Sequence, residues 1–148
     1  MARDEFRVII AGGRDFARMP SDREDVDLLT KTMDNLLQYK KRSHRIVVLC
    51  GMAKGRDMAG KRYAEQRRFH VRYFPADWQQ YGRRAGIVRN ELMAQNADAL
   101  AAFWDGSSRG TKNMIETAQR YGLAVRVIRY NLKSEMPEKD EFGFPIIK

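Results

Sequence analysis

Apolar residues in this chain come in blocks of two kinds. Short runs, rich in β-branched and aromatic residues, recur at FRVIIA (6–11), RIVVLC (45–50), VRYF (71–74), DALAAFW (98–104) and VRVIRY (125–130). Apolar runs this short, closed by glycine, proline or charged residues, predict buried strands rather than helices. Pro75 stops the third of them, since proline has no N–H to give to a sheet ladder.

The segments between these runs carry the helical period instead. Val26, Leu29, Met33, Leu36 and Leu37 fall on one face of a helix expected to run to about Tyr39, with KKRSHR as its charged exit turn. Ser21 and Glu24 have the S-x-x-E spacing of a capping box at its start. Further helices are expected over Met58 to Phe69 with Ala59, Tyr63 and Ala64 inward, over Ala85 to Asn96, and over Thr111 to Tyr121 through Met114, Ile115 and Ala118. Gly122 fits the C-terminal cap of the last.

Strands separated by helices demand right-handed crossovers. The expected fold is therefore α/β: a Rossmann-like, doubly wound, mainly parallel five-stranded sheet with helices on both faces. The domain is expected to occupy residues 1–130. From Asn131 to Lys148 the composition shifts to charges, two prolines and the apolar end FGFPII, which reads as a C-terminal tail.

Charge narrows the partners. Lys and Arg number 28 against 19 Asp and Glu, a net +9 in 148 residues, which favours anions: nucleotides, nucleic acid or an acidic protein. A lone Cys50 excludes an internal disulfide framework and a thiolate metal cluster. With only His44 and His70, neither a histidine metal site nor a histidine-centred triad is indicated. MARDEFRVII lacks the pattern of a signal peptide, and no run approaches the ~18 apolar residues of a membrane span. A cytoplasmic protein with no membrane partner is expected.

In an open parallel sheet, ligands bind beyond the carboxyl ends of the strands. Those ends here carry GGRD (12–15), GMAKGRD (51–57), PADW (75–78) and DGSSRGT (105–111). Glycine lets backbone N–H groups approach a ligand, and the positive end of the following helix favours an anion. The candidate ligand-binding residues are Gly12, Gly13, Arg14, Gly51, Gly55, Asp57, Asp77, Arg89, Asn90, Gly106, Ser107, Ser108, Arg109, Gly110 and Thr111. Lys54 and Arg56 add charge suited to phosphate. Simpler roles stay open: Gly12 and Gly13 as turn residues, Asp15 and Asp57 as helix caps, Trp78 and Trp104 as core or rim packing. GMAKGRD lacks P-loop spacing and GGRDF is not G-x-G-x-x-G, so neither P-loop ATP hydrolysis nor dehydrogenase chemistry is indicated.

The succession VIIAGGRDF, GMAKGRD, FPADW, AGIVRNELM and ADALAAFWDGSSRGT with MIETA resembles the YpsA-related branch of the SLOG superfamily, over about residues 6–130. These are small Rossmann-like proteins of bacteria and their phages. Relatives in the superfamily include the Lonely Guy phosphoribohydrolases, which cut the N-glycosidic bond of nucleoside monophosphates, and the DNA-processing protein DprA. The resemblance implies that Arg89 matches the arginine of the Lonely Guy reaction. It also implies that Gly110 and Thr111 match the G-T pair of P-G-G-x-G-T-x-x-E, making DGSSRGT a phosphate-binding loop. The pattern departs at its glutamate, where this chain has Met114. A thioether takes no proton, and Glu116 lies about 200° further around the helix.

Three functions follow as expectations. The leading one is binding, by sensing or sequestering, of a nucleotide or nucleotide-derived ligand such as an ADP-ribose or NAD derivative, with no cofactor required. The second is hydrolysis of an N-glycosidic or phosphate bond in such a ligand, with Arg89, Asp15 and Asp105 as catalytic candidates. The third is nucleic-acid binding through Lys61, Arg62, Arg67, Arg68 and Arg72. A homo-oligomer, with Phe69, Tyr73 and Trp78 offered to an interface, stays open.

Overall fold

The computed structural model describes residues 4–13, 15–52 and 58–130. Arg14, the stretch of GMAKGRD that holds Lys54, Gly55, Arg56 and Asp57, and the tail 131–148 lie outside the described residues. The elements run β1 (Glu5–Gly12), α1 (Arg23–Leu37), α2 (Lys40–Ser43), β2 (Arg45–Cys50), α3 (Ala59–Gln66), β3 (His70–Tyr73), α4 (Trp78–Tyr81), α5 (Ala85–Gln95), β4 (Ala99–Trp104), α6 (Arg109–Arg120) and β5 (Ala124–Arg129). A 3-10 turn, Gly82–Arg84, joins α4 to α5.

The five strands form one sheet in the order β3-β2-β1-β4-β5, and every pairing is parallel. The expected Rossmann-like architecture is thus observed, with an all-parallel sheet. Residue alternation along the central strands sorts the core into two layers. Ile46, Val48 and Cys50 face α1 and α3, meeting Leu29, Met33, Leu37, Tyr63 and Ala64. Val47 and Leu49 face α5 and α6, meeting Met93, Ala94, Met114, Ile115 and Ala118. Each large apolar side chain so buried stabilises by roughly 1.5–3 kcal/mol. Gly60 lets α3 sit against the sheet, because a Cβ there would lie 3.2 Å from Ile10 Cβ. Burial also pushes the Cys50 thiol up to about 12, leaving it a small apolar residue.

Several local expectations are corrected. The capping box does not form: Asp22, not Ser21, is the N-cap of α1, and its carboxylate accepts from the Met19 N–H at 2.9 Å. KKRSHR is largely the short helix α2. α6 starts at Arg109, two residues before the expected Thr111, because Ser108 caps it. Phe69 and Tyr73 are partly buried against the core, and Trp78 is not a core residue but is 63% exposed on α4.

Most of the cations on and after α3 that the nucleic-acid expectation named have partners within the protein. Arg67 makes two hydrogen bonds to Asp34, at 2.9 and 2.7 Å, and Arg72 reaches Glu5 at 2.6 Å. Lys61 approaches Glu65 at 3.9 Å, and Arg62 donates to the Ala17 carbonyl.

Candidate functional site

β1 is central, and the chain leaves it first toward β2 and β3, then returns across it to β4 and β5. The order therefore reverses between β1 and β4, and the crevice outside their carboxyl ends is where such sheets bind ligands. The exits of β1 and β4 meet there.

After β1, Phe16 stacks on Phe103 with ring centroids 4.7 Å apart, and its other contact is the Tyr130 ring at 4.6 Å. Ala17 holds a left-handed conformation (φ 47°), uncommon for a residue with a side chain. It is clamped from both sides, its N–H donating to Asp25 Oδ2 at 3.1 Å and its carbonyl accepting from Arg62. Gly13 lies directly under the Tyr130 hydroxyl. A Cβ at Gly13 would stand 2.6 Å from that oxygen and 3.8 Å from Ser108 Cβ, so only glycine lets the two loops approach. Burial, helped by the charges of Asp105, Asp25 and Asp15, pushes the Tyr130 phenol up to about 12.

After β4, DGSSRGT is a knitted loop. Asp105 Oδ1 accepts from the N–H groups of Ser107 and Ser108, both at 2.8 Å, and these bonds hold its carboxyl below the usual range. Gly106 has φ +91°, which the turn requires and glycine supplies. Trp104 Nε1 donates to the Ser108 carbonyl at 3.1 Å, and Ser108 Oγ lies 3.1 Å from Thr111 Oγ1. Gly110 has open space where a side chain would be, at the N-terminus of the 12-residue α6.

A second group gathers at the exit of β2. Arg89, on α5, donates through Nη1 to the Gly51 carbonyl and through Nε to Asn90 Oδ1 at 3.0 Å. A Cβ at Gly51 would sit 2.7 Å from Nη1, so glycine makes room for the guanidinium. Asn90 is buried and donates to Asn113 Oδ1 on α6 at 2.9 Å. No carboxylate pairs with Arg89 among the described residues, and burial pulls its pKa below the ordinary guanidinium value. Its Nη2 group has no protein partner among them and is not sealed from solvent.

Gly12, Gly13, Ser108 and Thr111 thus share the β1/β4 crevice, while Gly51, Arg89 and Asn90 form a neighbouring network. Arg109 and Ser107 are exposed on the loop. Asp77 caps α4, accepting from the Gln80 N–H at 3.1 Å. Asp15 is exposed and lines an acidic depression of about 340 Å³ with Asp22, Arg23, Glu24 and Asp25, which Arg89 does not line. Met114 is buried in the layer under α6, and Glu116 is exposed with Lys112 at 3.9 Å. Sequence reasoning missed Asn113 and Tyr130. The polar face of an amphipathic helix gives no signal for the first, and the second read only as the end of a strand.

A sequence profile described as YAcAr, the YspA, cpYpsA-related SLOG family, matches residues 6–81. The chain is 35% identical over 126 residues to the Gene 61 protein of Mycobacterium phage D29, covering 80% of this chain and 93% of the phage protein. Among solved structures it is similar to a protein described as a predicted subunit of tRNA methyltransferase from Methanocaldococcus jannaschii, at 12% identity and a TM-score of 0.40, over 93% of this chain and 79% of that one. This chain belongs to the YspA, cpYpsA-related SLOG family.

Proposed function

We propose that the protein binds a nucleotide-derived ligand at the C-terminal edge of the sheet, with a phosphate group between the Arg89 network and the α6 N-terminus. One observation carries this reading: Arg89 is a half-buried guanidinium held by a carbonyl and an amide, with no carboxylate to neutralise it among the described residues. A buried cation without a counter-charge is costly, and an anion with several acceptor oxygens removes that cost. Gly110, open above the start of α6, offers unpaired backbone N–H groups to the same anion. An ADP-ribose, an NAD derivative or a nucleoside phosphate fits this chemistry, and family membership supports a nucleotide-related ligand.

Binding is favoured over hydrolysis by what surrounds Arg89. The α6 side chain beside it is Asn113, reached through Asn90, and an amide does not exchange a proton as a general acid or base. Asp105 is committed to its loop, and the hydrogen bonds that lower its pKa make it a poor proton donor. The test is a thermal-shift screen of nucleoside mono- and diphosphates, NAD and ADP-ribose against wild type and Arg89→Ala. A shift in wild type that Arg89→Ala loses supports the reading, and no shift with any of them overturns it. Product release by wild type that Asp15→Asn or Asp105→Asn abolishes would replace binding with hydrolysis.

A further inference from the structure

A second open surface lies at the other end of the sheet. A groove of about 740 Å³ runs across the starts of β1, β2 and β3, where Glu5, Arg45 and His70 are first residues, and along the loops that lead into them. Lys41, Arg45, Arg67, Arg68 and Arg72 line it, with Glu5 as the one lining carboxylate and with His44 and His70 beside them. Five cations thus face one anion across a single open surface. Asp34 offsets part of this charge through Arg67, but Lys41 stands near the same carboxylate, so positive charge still predominates.

The carboxylates orient this charge as much as they cancel it. Arg67 meets Asp34 through Nε and Nη2, and Arg72 meets both oxygens of Glu5 through Nη2 alone, so neither pair uses the Nη1 group. Guanidiniums with one side fixed and donors remaining suit phosphate oxygens. Arg68 has a left-handed backbone (φ 59°) and no side-chain partner among the described residues.

We infer that this groove is a contact surface for the phosphodiester backbone of nucleic acid, bound without regard to sequence. A chain carrying one negative charge per ~1.7 Å of duplex axis matches a row of cations spread over three strands better than any single small anion. No exposed Phe, Tyr or Trp ring lines the groove, because Phe69 packs against the core, so bases have no large aromatic platform beyond the two imidazoles and recognition rests mainly on phosphates. An acidic protein partner fits less well. Protein interfaces rest on buried aromatic or aliphatic anchors, and none of the exposed large hydrophobic residues, Trp78 and Tyr39 among them, lines this groove.

The test is fluorescence anisotropy of labelled duplex and single-stranded DNA of mixed sequence, starting at ~50 mM salt and raising it stepwise. Wild type should bind, with affinity falling linearly against salt on logarithmic axes. The variant Lys41→Ala, Arg45→Ala, Arg68→Gly should bind tenfold or more weakly, with a slope shallower by roughly 2–3 on duplex, about 0.9 for each lost phosphate contact. Glycine suits position 68 because it accepts the left-handed backbone. Should the triple variant fail to fold, Arg68→Gly alone should lower the slope by about 0.9.

The control Arg23→Ala, Lys31→Ala, Arg126→Ala removes the same charge from exposed positions elsewhere and should bind like wild type. No binding by wild type at low salt overturns the inference. So does equal weakening in the control, which would reflect net charge only, and so does equally tight competition by polyglutamate, which would point to an acidic protein. Arg89→Ala should leave DNA binding intact, so the failure of either site is read apart from the other.

Discussion

At the N-terminal edge of the sheet Arg67 and Arg72 end on carboxylates, whereas at the C-terminal edge Arg89 ends on a carbonyl and an amide. The first two lie at the surface, where water screens their charge and an ion pair is worth at most about 1 kcal/mol. Arg89 is more deeply placed and has no such partner among the described residues. One residue type therefore does two things in one small domain. Where its charge is paired it is oriented at a surface with donors to spare, and where it is left without a counter-charge it carries the proposed ligand site. Gly13 and Gly51 stand at the C-terminal edge because other groups occupy the space their side chains would take.

The contrast can be broken most sharply at Arg89. A ligand at a hundredfold excess over Kd should stabilise wild type by about 2.7 kcal/mol, and Arg89→Ala should lose nearly all of that in a calorimetric melt. Arg89→Lys should recover only part, since an ammonium cannot bridge the Gly51 carbonyl and Asn90 and still present a fork. Retention of the full shift in Arg89→Ala would remove the distinction between the two edges.

Gly13→Ala should come next, costing about 2 kcal/mol in urea unfolding because the new Cβ overlaps the Tyr130 hydroxyl. Tyr130→Phe in the same chain should restore most of it, and a double-mutant cycle measures the coupling. Asp105→Ala should cost about 1 kcal/mol by releasing the N–H groups of Ser107 and Ser108, with a larger relative effect on ligand affinity than on stability.

The smallest effect belongs to the paired edge. The Arg67 hydrogen bonds hold the Asp34 pKa below its ordinary 3.8. Its contribution is complete above the unfolded value and is lost as pH falls through the lower folded value. Asp34→Asn should therefore flatten the acid limb of a stability-against-pH curve below about pH 4 and leave neutral stability within about 1 kcal/mol of wild type.

The strands were legible because a parallel sheet covered on both faces needs continuous apolar runs, and RIVVLC is buried from Ile46 to Cys50. The helix over α4 and the following turn was not, because residues 78–84 have no apolar period. Their fold depends on the Asp77 cap and on Gly82 at φ +56°. Ser21 and Glu24 had the spacing of a capping box, but the Asp22 carboxylate turns back to Met19 and takes the N-cap. At the site, glycine-rich strand exits could be read directly. The Asn90 to Asn113 bond could not, since it joins polar residues 23 positions apart on two helices. Met114 stands where the resemblance places a carboxylate, but its helical spacing with Ile115 and Ala118 already marked it as apolar face, and in the structure it is one of the buried side chains that fasten α6 to the sheet.

An all-parallel sheet also makes the domain directional. The sheet begins at Glu5, beside the basic groove, and the described residues end at Tyr130, whose hydroxyl overhangs Gly13 at the opposite edge. A reporter dye at position 130 would sit at the candidate ligand crevice, and one at position 5 would sit at the basic groove, so the two edges of the sheet can be followed separately.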